Sequence, residues 1–118
     1  PGPPGGDMSA KVKAAGTRAP RVGESVFGHG IAALASLSRT NALYVASKPP
    51  QLSFEGASSL PTTWSTIHMA LLVSRPNSSS RLLVHAGAGG VGLVAGEYLH
   101  WLDTQTSATA GQPRKHYF

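Results

Sequence analysis

The residues with the clearest chemistry are Gly87-Ala88-Gly89-Gly90-Val91-Gly92. A glycine-rich loop between a strand and a helix can cradle a pyrophosphate, and each glycine then has a physical task. Gly87 permits the tight turn. Gly89 lets the backbone approach the phosphates with no Cβ in the way, and Gly92 lets helix and strand pack closely. The unpaired N–H groups at the helix start, from Gly90 and Val91 onward, would face the anion. Such a loop can also be only a tight turn, so its flanks decide what it is worth.

Both flanks have the required periodicity. Leu82, Leu83 and Val84 form a short apolar run of the kind that becomes a strand buried on both faces. After the loop, Val91, Val94/Ala95, Tyr98/Leu99 and Leu102 recur at helical spacing and predict one apolar face of about three turns. His85, between strand and loop, is expected to pack structurally rather than act as a base. Roughly twenty residues past the loop, Arg114 and Lys115 follow a second predicted strand, at the place where a dinucleotide's ribose 2′-substituent is read. No Asp or Glu stands between Thr104 and Phe118 to bind a free ribose diol. The alternative is a pair of solvated basic residues at a helix start.

The elements that must position these residues follow from the rest of the chain. Residues 1–8, rich in Pro and Gly, read as a disordered linker. Ser9–Ala15 and the alternating stretch Val22–Gly28 are predicted strands, and Leu34–Ser38 and Leu43–Ala46 two shorter ones. Pro49-Pro50 ends the last of these, because proline brings no N–H to a ladder. Ser53 is a plausible N-cap for a short helix, and Pro61 suits the first turn of an amphipathic helix through Val73. Arg75–Ser80 is a polar loop, and Thr104–Ala110 is the second strand of the glycine-loop unit. The organisation is lopsided: β pieces first, then a helix, then one and a half β-α units.

Composition sets outer bounds. The 118 residues carry ten Lys and Arg, five Asp and Glu, and a net charge of +5. A basic balance raises nucleic acid as a partner, but the cations are scattered, with no run interleaved with aromatics, so no nucleic acid is expected. Without cysteine there is no disulfide or thiolate metal site, and the five histidines lack metal-ligand spacing, so no metal is expected. No stretch approaches the ~20 apolar residues of a membrane span, and the N-terminal region lacks a signal-peptide core. No membrane contact and a cytoplasmic location are therefore expected.

With those residues in view, the chain resembles the zinc-independent medium-chain dehydrogenase/reductases. Within that superfamily it is most similar to the enoyl reductase domains of polyketide and fatty acid synthases and to quinone oxidoreductase-like proteins. RVGESVFGHG, ALYVASKPPQLSFEGASSLPTTWSTIHMALL, LLVHAGAGGVG and ATAGQPRKHYF, in this order, carry the resemblance, which runs from Lys11 to Phe118 and is weakest over 28–42. It implies an α/β fold: a partial GroES-like β-rich segment, then the first β-α-β part of a Rossmann (doubly wound parallel) sheet. Residues 9–50 would be the remnant of the GroES-like catalytic domain and 51–118 the N-terminal part of the NADPH-binding domain.

The resemblance also implies roles. The backbone from Gly89 to Gly92 would hold the NADPH pyrophosphate, Lys115 would pair with the 2′-phosphate, and Thr66 would lie near the nicotinamide. Thr66 can equally be an ordinary helix residue with its hydroxyl bonded back to the helix. Gln112 stands where the family has a serine, which removes a small donor beside the 2′-phosphate. Leu60-Pro61-Thr62-Thr63 stands where zinc-dependent members place a cysteine, which argues against catalytic zinc. The implied activity is NADPH-dependent reduction of an activated carbon–carbon double bond in a small-molecule or acyl-thioester substrate. Neighbouring synthase domains are the implied partners, and the interrupted sheet suggests self-association. The catalytic proton donor is not among these residues, so the rival expectation is a non-catalytic fragment that binds only a cofactor or a partner.

Overall fold

A computed structural model of the chain describes residues 2, 4–17 and 20–111. Its backbone forms two compact units, Pro1–Thr62 and Thr63–Phe118.

The first unit is built on strands β1 (Asp7–Lys11), β2 (Ser25–His29) and β3 (Val45–Ser47), antiparallel in that order, with Ser9 opposite Phe27 and Phe27 opposite Ala46. Val26 and Ala57 supply its buried apolar side chains. Ala57 lies in the short helix α1 (Phe54–Ser58), which packs on β1 and β2. The Ser53 hydroxyl accepts the Gly56 N–H at 3.0 Å, so the expected N-cap is present. At Gly28, φ is +152° and a Cβ would overlap the Tyr44 carbonyl oxygen, so only glycine fits where β3 begins.

Four sequence expectations in this unit need correction. The linker expected over 1–8 gives way early: Gly5 and Gly6 carbonyls accept backbone bonds from Ala33 and Gly30, and β1 starts at Asp7 rather than Ser9. It ends at Lys11 rather than Ala15. Leu34–Ser38 is not a strand. Leu34 and Leu37 are exposed, the Ser38 hydroxyl donates to the Ile31 carbonyl, and the only ladder contact there is the bridge Ile31–Arg39. Ala42–Tyr44 is a 3-10 turn because the Asn41 side chain accepts the Leu43 N–H, which delays β3 to Val45. Local side-chain bonds replaced the ladder at both places.

Helix α2 (Pro61–Ser74) begins with proline in its first turn, as expected. Its apolar residues do not confine themselves to one face: Met69, Leu72 and Val73 are all exposed. Beyond it, β4 (Arg81–Val84), α3 (Gly90–Trp101) and β5 (Gln105–Ala108) form a β-α-β unit. β4 and β5 pair in parallel with Leu82 opposite Thr106 and Val84 opposite Ala108. This is the expected start of a doubly wound sheet.

Two burial expectations change here. β4 is not buried on both faces: Leu82 and Val84 are half-buried, while Leu83 is 57% exposed. With α3 packed on this two-stranded sheet, only alternate residues of β4 are covered. On α3 the buried residues are Gly92, Val94, Ala95 and Leu99, and Val91 is exposed. The covered face therefore runs through Gly92, Ala95 and Leu99. Asp103, in a left-handed conformation (φ 54°), ends the helix, and the Thr104 hydroxyl donates to the Leu99 carbonyl.

Candidate functional site

β4 ends at Val84 and the chain turns over residues 85–88. The left-handed residue of that turn is Ala86 (φ 55°), not Gly87. What demands glycine at 87 is β5: a Cβ there would stand 2.6 Å from the Ala108 Cβ. The Gly87 N–H donates to the Thr109 carbonyl at 2.8 Å, and the Thr109 N–H to the Val84 carbonyl at 3.0 Å. Loop and strand ends are thereby laced together.

Gly89 is the N-cap of α3, with an extended backbone (φ −84°, ψ 165°) open to any residue. Its N–H donates to the Ala86 carbonyl, and its own carbonyl accepts the first helical bond from Leu93, each 2.9 Å. A Cβ at Gly89 would meet just one neighbour within 4 Å, the Ala86 oxygen at 3.3 Å, and the residue is exposed. At Gly92 the picture is opposite: a Cβ would stand 2.6 Å from the Gly87 Cα. Gly92 thus lets the helix press on its own entry loop.

No side chain caps α3, and its first turn holds no acidic residue. The amides of Gly90, Val91 and Gly92 therefore end the helix without an intrahelical partner, at the positive end of the helix dipole. This is the donor set that suits a pyrophosphate, at the carboxyl ends of two parallel strands. Beside it an open depression of about 440 Å³ is lined by Val84, Gly92, Gly96, Thr106, Ala108, Thr109 and Ala110.

Helix α2 contributes the other side. Tyr98 of α3 packs on Trp64 (ring centroids 5.6 Å apart) and edge-on to Trp101 (5.7 Å), and its hydroxyl lies 3.2 Å from His68 Nδ1. That cluster ties α2 to α3 at Tyr98, and Thr63 lies next to the loop, its methyl 3.7 Å from where a Gly90 Cβ would be. Thr63 was not anticipated from the sequence; its place in the first turn of the helix starting at Pro61 was the available signal. Thr66 lies one turn further along α2 and is exposed. His85 is exposed rather than packed, with Nδ1 3.2 Å from the Thr109 hydroxyl. Its position outside the strand pairing removes it from the core. Arg114 and Lys115 lie outside the described residues. Among the described residues no three metal-ligating side chains cluster, and no helix is long and apolar enough to cross a membrane.

No family model matches the chain. It is 30% identical over 109 residues to the spectinabilin polyketide synthase system protein NorB of Streptomyces orinoci, covering 90% of this chain and 5% of that protein. Among solved structures it is similar to the CurK enoyl reductase, with TM-score 0.85 and 32% identity over 93% of this chain and 34% of that one. A mycobacterial protein complexed with NADPH gives TM-score 0.86 and 28% identity over 94% of this chain and 36% of that one. The chain thus spans about a third of these solved structures and 5% or less of the curated synthases it matches first. In fold the chain is similar to enoyl reductases and quinone oxidoreductases of the medium-chain dehydrogenase/reductase superfamily.

Proposed function

We propose that this chain is the NADPH-binding part of an enoyl reductase-like oxidoreductase that reduces an activated carbon–carbon double bond. One observation carries the reading: α3 opens on an uncapped Gly89, with no acid in its first turn, at the carboxyl ends of parallel β4 and β5. Of the loop residues Gly87, Gly89, Gly90, Val91 and Gly92, the last three would hold the pyrophosphate by backbone amides, with Gly87 closing the turn and Gly89 leaving the space in front of those amides clear. Arg114 and Lys115 would read the 2′-phosphate, and Thr66 would lie near the nicotinamide. When bound, NADPH supplies hydride to the β-carbon of an α,β-unsaturated thioester or ketone. The chain's own share is binding and orientation, since it offers no assigned proton donor.

The proposal includes residues 9–50 as a remnant of the GroES-like catalytic domain, 51–118 as the start of the cofactor domain, and a cytoplasmic setting beside other synthase domains. The exposed face of β4 and β5, lined by Arg81, Leu83, Gln105 and Ser107, suits packing against a further chain or a second copy. A second reading is a non-catalytic piece that binds only cofactor or partner, since the described part of the site consists of backbone amides and holds no assigned proton donor. Calorimetric titration with NADPH, followed by NADPH oxidation in the presence of an enoyl thioester, separates the two. Binding with turnover supports the reductase, binding without turnover the second reading, and no binding removes both cofactor assignments.

A further inference from the structure

Thr109 is pinned on both sides by its main chain, to Val84 in β4 and to Gly87 in the loop. Its side chain is therefore fixed at the carboxyl ends of both strands, where ligands of parallel sheets bind. His85 stands beside it, immediately before the left-handed Ala86, with Nδ1 3.2 Å from the Thr109 hydroxyl oxygen and both side chains exposed.

A hydroxyl has one proton to give. When the neutral ring carries its proton on Nε2, Nδ1 accepts and the Thr109 proton is spent on it. When the ring is protonated, Nδ1–H donates to Thr109, and the hydroxyl proton turns outward. From the Nε2–H tautomer, protonation thus adds a positive charge and releases a donor at one place. Among the described residues the other charges nearby do not mask this. β4 carries only Arg81, at its far end; residues 85–89, β5 and the first turn of α3 carry none. Further along α3 lie Glu97 and His100, and the one titratable residue of α2, His68, is engaged with Tyr98.

We propose that His85 and Thr109 form a proton-controlled donor beside the glycine loop that tightens the hold on a phosphate-bearing nucleotide as pH falls. This rests on the dinucleotide reading of the loop. Imidazole changes charge between about pH 5 and 8, so the test is calorimetric binding of acid-stable NADP⁺ to the chain at both ends of that range. The 2′-phosphate of the ligand itself titrates near pH ~6, and that contribution is common to every variant. Relative to His85→Gln, the wild type should gain about tenfold more affinity on acidification, the worth of one charge-assisted bond. Thr109→Val should lose part of that gain and Thr109→Ser restore it, with thermal melts of all variants matching the wild type. Equal pH dependence in wild type and His85→Gln overturns the proposal and leaves the dinucleotide site standing. Failure of the wild type to bind NADP⁺ at either pH overturns the loop reading and this proposal with it.

Discussion

A Cβ on Gly92 would stand 2.6 Å from the Cα of Gly87, a separation that two carbon atoms do not tolerate without movement. Helix α3 and its entry loop therefore touch backbone to backbone. Gly92→Ala must push the loop away from the helix, at a cost of about 1–3 kcal/mol. Gly96, one turn on, has open space where a Cβ would go. Gly96→Ala should stabilise the helix by roughly 0.5–1 kcal/mol. Urea unfolding of the two variants should show shifts of opposite sign.

Gly89→Val separates ligand from fold. The φ of −84° suits a side chain, and a Cβ there would have the Ala86 oxygen at 3.3 Å as its near neighbour. The variant should melt close to the wild type, yet lose measurable NADPH binding, because the side chain fills the space in front of the Gly90–Gly92 amides. Unchanged NADPH affinity in the folded variant would show that no phosphate lies there.

Lys115→Ala tests the 2′-phosphate assignment. NADPH should bind the wild type about tenfold or more tightly than NADH, the worth of a charge-assisted contact, and the variant should lose that preference. Parallel titrations of both cofactors decide it, and equal affinities in the wild type would remove the assignment.

In the first unit, Asp7 accepts the Thr62 N–H at 3.0 Å and the Thr62 hydroxyl at 2.6 Å, and its carboxylate lies 3.2 Å from His29 Nδ1. One carboxylate thus satisfies an amide in the first turn of α2 from a residue far away in sequence. Asp7→Ala should cost about 1–2 kcal/mol. Asp7→Asn should recover much of it, since an amide oxygen can still accept from Thr62. Thermal unfolding of both variants provides the comparison.

Glu24 has its carboxyl held below the usual carboxylate range by the Ser47 hydroxyl, then by the Arg21 amide and the Arg21 charge. A depressed folded value means that the stabilisation is complete above the unfolded carboxyl's range and disappears as pH falls through the folded value. Ser47→Ala should move the Glu24 titration upward, toward the ordinary value, and weaken the join between β2 and β3 above the carboxyl's range, where Glu24 is ionised, with little difference at low pH. An NMR pH titration of the Glu24 carboxyl shows the shift; an unmoved midpoint would mean that the bond to Ser47 does not hold the charge.

The sequence by itself determined the order strand, glycine loop, helix, strand. That order rests on local causes: the apolar run Leu82–Val84, the four glycines Gly87, Gly89, Gly90 and Gly92, and proline tolerated at Pro61. The Ser53 cap was legible for the same reason, since a hydroxyl bonds an amide three residues away. Tertiary structure decided which faces are covered. Hydrophobic periodicity shows that Val91 and Leu83 are apolar, but not that α3 turns Gly92 toward the loop or that part of β4 is left uncovered. It also decided why glycines are needed: Gly87 yields to Ala108, a residue of the next strand, and no local rule contains that contact. Thr63 beside Gly90, Thr109 against His85 and Asp7 on Thr62 belong to the same class. Each joins residues distant in the chain, and only packing brings such residues within bonding range.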